Sequence, residues 1–233
     1  MDRLIGVDEL LDGPLDDEAA LVGNLRDLAR INRLTGGARL SVRAIDALGG
    51  RAGAVASILD VGTGGADIPM RLLAGARRRG RELHVTASDS RDEVLAAARL
   101  ARPAIARTPA LELVVADGRA LPWPDETFDV AHASMVLHHL EPDEVVTFLR
   151  ELRRVARRGI VVNDLARGWW FWLGAWLLVQ AFATSDYTRH DGPLSVRRAY
   201  TRTELQAFVA VAGLTPVSIV RGFAGHRIAI AAR

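Results

Sequence analysis

The sequence predicts an α/β fold, a doubly wound sheet of seven strands with helices on both faces. Three observations carry this reading. Strand-like and helix-like segments alternate from residue 57 onward, a glycine-rich loop follows the first strand, and the last two strands are separated only by Gly222 to Gly225. Alternation of this kind implies crossover helices and a mostly parallel sheet. The final connection is too short for a crossover, so the last pair should form an antiparallel hairpin.

The strands are read at 57–61, 82–88, 111–116, 128–133, 159–163, 215–221 and 226–232. The helices between them are read at 67–79, 91–102, 142–157 and 202–212. Upstream, Leu21, Leu25, Leu28, Ile31 and Leu34 keep helical spacing until Thr35-Gly36-Gly37 stops the run. A second helix covers Leu40 to Leu48, and Gly49-Gly50 punctuates the chain before the first strand. Residues 1–52 are therefore expected to form an N-terminal helical cap, and residues 53–233 the sheet domain.

The alternation breaks between residues 164 and 201, where a helical insertion follows the fifth strand. Its Trp169–Val179 segment is the most apolar in the chain, yet shorter than the roughly 20 apolar residues of a membrane span. A core helix burying aromatic area is one account of it. Four tryptophans within residues 169–176 exceed what one buried face can hold. A lid over an apolar acceptor cavity, or an interfacial patch, accounts for them better.

Composition sets bounds on function. At 233 residues, 49% apolar and 25% charged, the chain reads as an ordinary soluble globule. A net charge of +2 gives no electrostatic footprint for nucleic acid. With no cysteine, disulfides, thiolate metal sites and cysteine nucleophiles are excluded. Every basic residue apart from histidine is arginine, so Schiff-base chemistry, a P-loop lysine and a Tyr-x-x-x-Lys pair are excluded as well. The start of the chain is acidic (Asp2, Asp8, Glu9, Asp12, Asp16, Asp17, Glu18) and lacks an early apolar stretch, so no leader and a cytoplasmic location are expected.

The stretch Ile58-Leu59-Asp60-Val61-Gly62-Thr63-Gly64-Gly65-Ala66-Asp67 carries the most chemistry. A strand that breaks into a glycine loop ahead of a helix builds a nucleotide crevice at the carboxyl edge of a sheet. In dinucleotide loops the strand ends on an apolar residue, but here Asp60 holds that place, and Asp67 falls where a third glycine would stand. A carboxylate suits positive and donor groups rather than a pyrophosphate. S-Adenosylmethionine (SAM), with its sulfonium, amino acid end and ribose, fits best. Asp89 ends the second strand, where it can accept from both ribose hydroxyls. Asp117 ends the third, where it can accept from the adenine amino group, with Gly118 allowing close approach.

Together these segments resemble the class I SAM-dependent methyltransferases, small-molecule branch. Leu59-Asp60-Val61-Gly62-Thr63-Gly64 resembles the first motif of that family, Ala87-Ser88-Asp89-Ser90 the second, and Asp117-Gly118 with Leu121-Pro122 the third. Phe128-Asp129-Val130 through Val136-Leu137-His138-His139-Leu140 resembles the fourth-strand region, and the closing hairpin the family's reversed last strand. Ala66 departs from the pattern, since it stands where the family usually has a glycine. The resemblance implies a Rossmann-like fold with SAM as cofactor. It places Asp60, Gly62 and Gly64 at the methionine end, with Thr63 and Asp67 in the same loop, Asp89 at the ribose and Asp117 at the adenine. Ser90, Ala116, Gly118 and Ala133 complete the wall.

For acceptor chemistry a histidine base is sought. His138 and His139 follow the fourth strand, although that pair could merely open a loop. His190, beside Asp191 in a stretch read as a loop over the acceptor, is the leading candidate. Asn32 is expected to face the cofactor. No metal site is expected, because only Glu141 lies near the histidine pair in sequence. The implied activity is methylation of a small lipophilic or aromatic acceptor, phenolic or polyketide-like, on oxygen. Carbon methylation of a quinone precursor and non-catalytic SAM binding are the alternatives. An RNA substrate would want a basic face and an Asn/Asp-Pro-Pro-aromatic motif, and the sequence has neither. The protein is expected to be a monomer or homodimer with no stable membrane span, leaving room for peripheral contact.

Overall fold

A computed structural model describes residues 1–15, 17–49 and 54–233. Seven strands lie in the order β3-β2-β1-β4-β5-β7-β6. They are β1 (Ser57–Val61), β2 (His84–Asp89), β3 (Leu111–Val115), β4 (Phe128–Ser134), β5 (Ala156–Leu165), β6 (Pro216–Arg221) and β7 (Arg227–Ala232). The first five run parallel, and β7 lies antiparallel between β5 and β6. The predicted doubly wound sheet, with its last strand reversed, is the fold observed.

Among the described residues, eight α-helices surround the sheet: α1 (Glu18–Thr35), α2 (Gly37–Gly49), α3 (Asp67–Arg78), α4 (Asp92–Ala101), α5 (Pro142–Val155), α6 (Trp169–Phe182), α7 (Asp186–Arg198) and α8 (Arg202–Val211). Because side chains alternate across a strand, the central strands β1, β4, β5 and β7 feed two cores. Ile58, Val85, Val130 and Val161 pack under α1 to α4, while Leu59, Ala131, Ile160 and Val162 pack under α5 and α8. Burial on both faces explains why β4 and β5 read as apolar runs rather than alternating strands. Helix α2 packs directly on β5, β6 and β7. The expected boundary at residues 52 and 53, like Gly50 of the Gly49-Gly50 punctuation and Asp16 of the acidic start, lies outside the described residues.

Two local readings are corrected. The fifth strand begins at Ala156 rather than 159, cutting α5 short of the expected 157. The cause is Asp129 on β4, whose carboxylate accepts from Arg157 Nε at 2.8 Å and Arg158 Nε at 2.9 Å, drawing this segment into the sheet. The stretch around His190 is helical, not a loop, although Gly192 and Pro193 sit inside α7. A Cβ at Gly192 would stand 2.7 Å from a methyl of Val179, so this glycine is what lets α7 press against α6.

The α6–α7 pair is anchored by Asp27 of α1, which accepts from the N–H groups of Thr184 at 2.7 Å and Ser185 at 2.8 Å, the start of α7. Burial opposes the Asp27 charge, but these hydrogen bonds outweigh it and hold the carboxyl below its ordinary value of 3.8. The stabilisation is therefore complete above pH 3.8 and lost as the pH falls through the lower folded value. Asp27→Ala should cost about 1.5–3 kcal/mol, the range for a hydrogen bond to a charged group. Hydrogen exchange is expected to show protection lost across α6 and α7 and retained in the sheet; equal loss in both would contradict local anchoring.

Candidate cofactor and acceptor site

Strand order reverses between β1 and β4, and the crevice opens where their carboxyl ends diverge. The loop Gly62–Ala66 turns there into α3. Gly62 has φ +68°, and a Cβ on it would lie 2.4 Å from a Val136 methyl, so only glycine fits. Ala66, the departure from the family pattern, adopts the left-handed conformation with φ 52° and is fully buried. Its methyl thus gains core packing against the strain of that backbone.

Asp60 is register partner to His132 on β4. Both are buried, and their side chains pair through His132 Nδ1. Thr63 Oγ1 donates to the other Asp60 oxygen at 2.6 Å. On its far side, His132 Nε2 meets Ser41 Oγ at 2.8 Å, and Asn163 Nδ2 donates to the same hydroxyl at 2.9 Å. Asp60 is therefore fixed by a buried chain reaching into α2. Asn32 donates to Asp67 at 3.3 Å and accepts from the buried Arg227 at 2.8 Å, linking α1, α3 and β7. Asp89 Oδ2 accepts from the Gly64 N–H at 3.0 Å, which ties the loop to β2. Burial pushes the carboxyls of both Asp67 and Asp89 up, and Asp60 nearby adds to this.

One cavity of about 1220 Å³ runs from this loop to the insertion. Its far end is polar. Asp164, ending β5, accepts from the Leu137 N–H at 2.7 Å and meets His138 Nδ1 at 2.7 Å. Burial opposes its charge, but His138 and the N–H of Leu165 hold the carboxyl below the ordinary range. His139 Nδ1 meets Asp12 at 2.9 Å. The first residues of the chain cross this floor as a strap. Asp191 of α7 accepts from the N–H groups of Leu10 and Leu11 at 2.9 and 3.2 Å, and Arg198 donates to Asp12 at 2.7 Å. Glu9 is thereby carried inside, 3.8 Å from Nε2 of both His138 and His139, with Ser195 Oγ donating to it at 2.8 Å. Burial pushes the Glu9 carboxyl up to about 7, against His139 and Ser195.

Helix α6 forms the apolar wall. Phe171, Leu178 and Val179 line the cavity, while Trp170 at its mouth is 75% exposed and Phe223, in the β6–β7 turn, 89% exposed. No helix among the described residues is long and apolar enough to cross a membrane.

The structure brings Asp60, Gly62, Thr63, Gly64, Asp67 and Asp89 together on this cavity, and Ser90, Ala116, Asp117 and Gly118 along its edge. Asn32, His138 and His139 line it too. Ala133 does not; it is buried in the core beneath β4. Nor does His190, whose side chain is 54% exposed and turned to Asp191 at 2.8 Å. Asp117 is exposed, and its carboxylate already accepts from the Arg119 side chain at 3.1 Å. A Cβ on Gly118 would lie 2.4 Å from the Phe148 ring, so that glycine is required by packing beneath the strand. Sequence reasoning missed Glu9, His132, Asp164 and Arg227, whose partners lie far away along the chain.

The crevice fits SAM on two counts. Three carboxylates, Asp60, Asp67 and Asp89, face a ligand carrying two positive centres. Ser134 Oγ, buried at the end of β4 on the cavity wall, has no hydrogen-bond partner within the protein. Fold and crevice together resemble those of the class I SAM-dependent methyltransferases, a class whose cofactor is SAM. Residues 59–162 match the family described as "Methyltransferase domain". The chain is 34% identical over 128 residues to a phosphatidylethanolamine N-methyltransferase of Cereibacter sphaeroides, covering 53% of this chain and 55% of that protein. It is 38% identical over 72 residues to the ubiquinone/menaquinone biosynthesis C-methyltransferase UbiE of Rickettsia akari, covering 31% of this chain and 29% of the relative. It thus spans at most about half the length of these curated relatives. Among solved structures, an O-methyltransferase family 2 protein of Planctomyces limnophilus in complex with apigenin superposes with a TM-score of 0.65 at 19% identity, covering 94% of this chain and 62% of that one.

Proposed function

We propose that the protein methylates an oxygen of a small lipophilic or aromatic acceptor, with SAM as the donor. The single observation behind this is the continuous cavity. At about 1220 Å³ it exceeds the roughly 300–1,000 Å³ of a one-ligand site, as a cofactor and acceptor together require. On this reading Asp60, Asp67 and the glycine loop hold the amino acid end of the donor, Asp89 accepts from its ribose hydroxyls, and Asp117 with Ser90, Ala116 and Gly118 borders its base. The α6 wall takes the apolar body of the acceptor, and the floor of Glu9, His138 and His139 receives its hydroxyl. Acceptor chemistry passes from His190, outside the cavity, to that floor. Bound SAM supplies an activated methyl group; the protein aligns the acceptor with it and excludes water.

The identity to a C-methyltransferase favours one second reading, transfer to the ring carbon of a quinone precursor. Incubation with methyl-labelled SAM and a panel of alkyl phenols and quinols separates the two. A labelled methyl ether is expected. A carbon-bound label would assign the second reading, and SAM binding without transfer to any member would leave a binding protein and overturn both.

A further inference from the structure

We propose that Glu9, His138 and His139 hold one divalent transition-metal cation of the zinc type at the acceptor end of the cavity. One ligand atom from each of Glu9, His138 and His139 lies within 4.8 Å of the other two. Each imidazole faces a Glu9 oxygen at 3.8 Å, too far for a hydrogen bond. Ligands at about 2.0–2.2 Å from a common ion stand roughly 3–4 Å apart, so the three groups need little movement to close on one.

The histidines are oriented for this role from behind. Nδ1 of His138 meets Asp164 at 2.7 Å, and Nδ1 of His139 meets Asp12 at 2.9 Å. A proton on each Nδ1, donated to its carboxylate, leaves both Nε2 lone pairs aimed at the Glu9 carboxylate. A cation placed between them would meet all three groups, and a carboxylate behind a ligating imidazole is the usual outer shell of a metal site. The surroundings are acidic: Asp12, Asp164 and Asp191 lie beside the two imidazoles and Glu9, with Arg198 donating to Asp12.

Two imidazoles with one carboxylate, and no thiolate, select zinc and its neighbours in the first transition row over magnesium or calcium. All three ligands line the cavity, so the open coordination position faces the acceptor. There the ion would bind the acceptor oxygen and lower its pKa. Only this last step rests on the proposed function. The sequence gives no hint of the site, because Glu9 lies far from the histidine pair along the chain.

Chelator-stripped full-length protein titrated with Co²⁺, followed by its visible absorption and by displacement with Zn²⁺, tests the proposal. One equivalent per chain is expected. Glu9→Gln and His139→Gln should each weaken uptake at least about 100-fold, and Asp12→Asn, which removes an outer-shell partner, about 10-fold. SAM affinity, measured in parallel by calorimetry, should stay at the wild-type value in all three variants. Absence of saturable uptake by the wild type, or uptake unchanged in both ligand variants, overturns the site. Metal uptake with no SAM binding would overturn the cofactor reading and leave the metal site standing; SAM binding with no metal uptake would do the reverse.

Discussion

Asp89→Ala is expected to weaken SAM binding on the order of 10³-fold while the protein stays folded. The side chain has two tasks. One oxygen holds the glycine loop through the Gly64 N–H at 3.0 Å. The other accepts from the Arg91 N–H at 3.4 Å, and the residue lines the cavity, where the two ribose hydroxyls would donate to it. A hydrogen bond to a charged acceptor contributes about 1.5–3 kcal/mol, so losing both removes roughly 4 kcal/mol, or about three powers of ten. Asp89→Asn keeps one carbonyl oxygen and should fall between wild type and alanine. Titration calorimetry with SAM, alongside a melting curve, measures both effects. Wild-type affinity in the alanine variant would remove Asp89 from the ribose site.

His132→Leu is expected to destabilise the fold by about 1–3 kcal/mol, the cost of leaving the buried Asp60 carboxyl without its hydrogen-bond partner. Leucine fills a similar volume, so the loss reflects Asp60 left without its imidazole rather than a cavity. The buried chain from Asp60 through His132 to Ser41 and Asn163 would be cut at its centre. Urea unfolding gives the magnitude, and a double-mutant cycle with Asp60→Asn assigns it. Neutralising Asp60 should restore much of the lost stability. A single-variant loss below about 1 kcal/mol would mean that the Thr63 hydroxyl alone satisfies the carboxylate.

The sheet was legible because its signals are local. Strand period, the glycine loop and the short Gly222–Gly225 connection each lie within a few residues, and all seven strands stand within a few residues of where they were read. The grouping of Asp60, Asp67, Asp89 and Asp117 along one cavity was legible for the same reason, since each lies at or just beyond the end of β1, β2 or β3. Illegible features depend on distant partners. The Gly192-Pro193 pair signals a loop, but packing of α7 on α6 overrides that signal. Arg157 reads as helical until Asp129 is placed beside it. Glu9 looked like one of several solvated acids; only Asp191, on a helix near the other end of the chain, turns it inward.

The two ends of the cavity therefore have different origins in the chain. The donor end is written in one nearly continuous stretch on the sheet edge, from Asp60 to Gly118, with every loop tied to its neighbour. The acceptor end is assembled from remote pieces: the opening strap, the turn after β4, the α6–α7 insertion and the β6–β7 turn. On the proposed function, exchanging any of those pieces would alter the acceptor end while leaving the glycine-loop end unchanged. The same division places the burden of assembly on the opening strap, whose few backbone hydrogen bonds to Asp191 hold the acceptor floor in register.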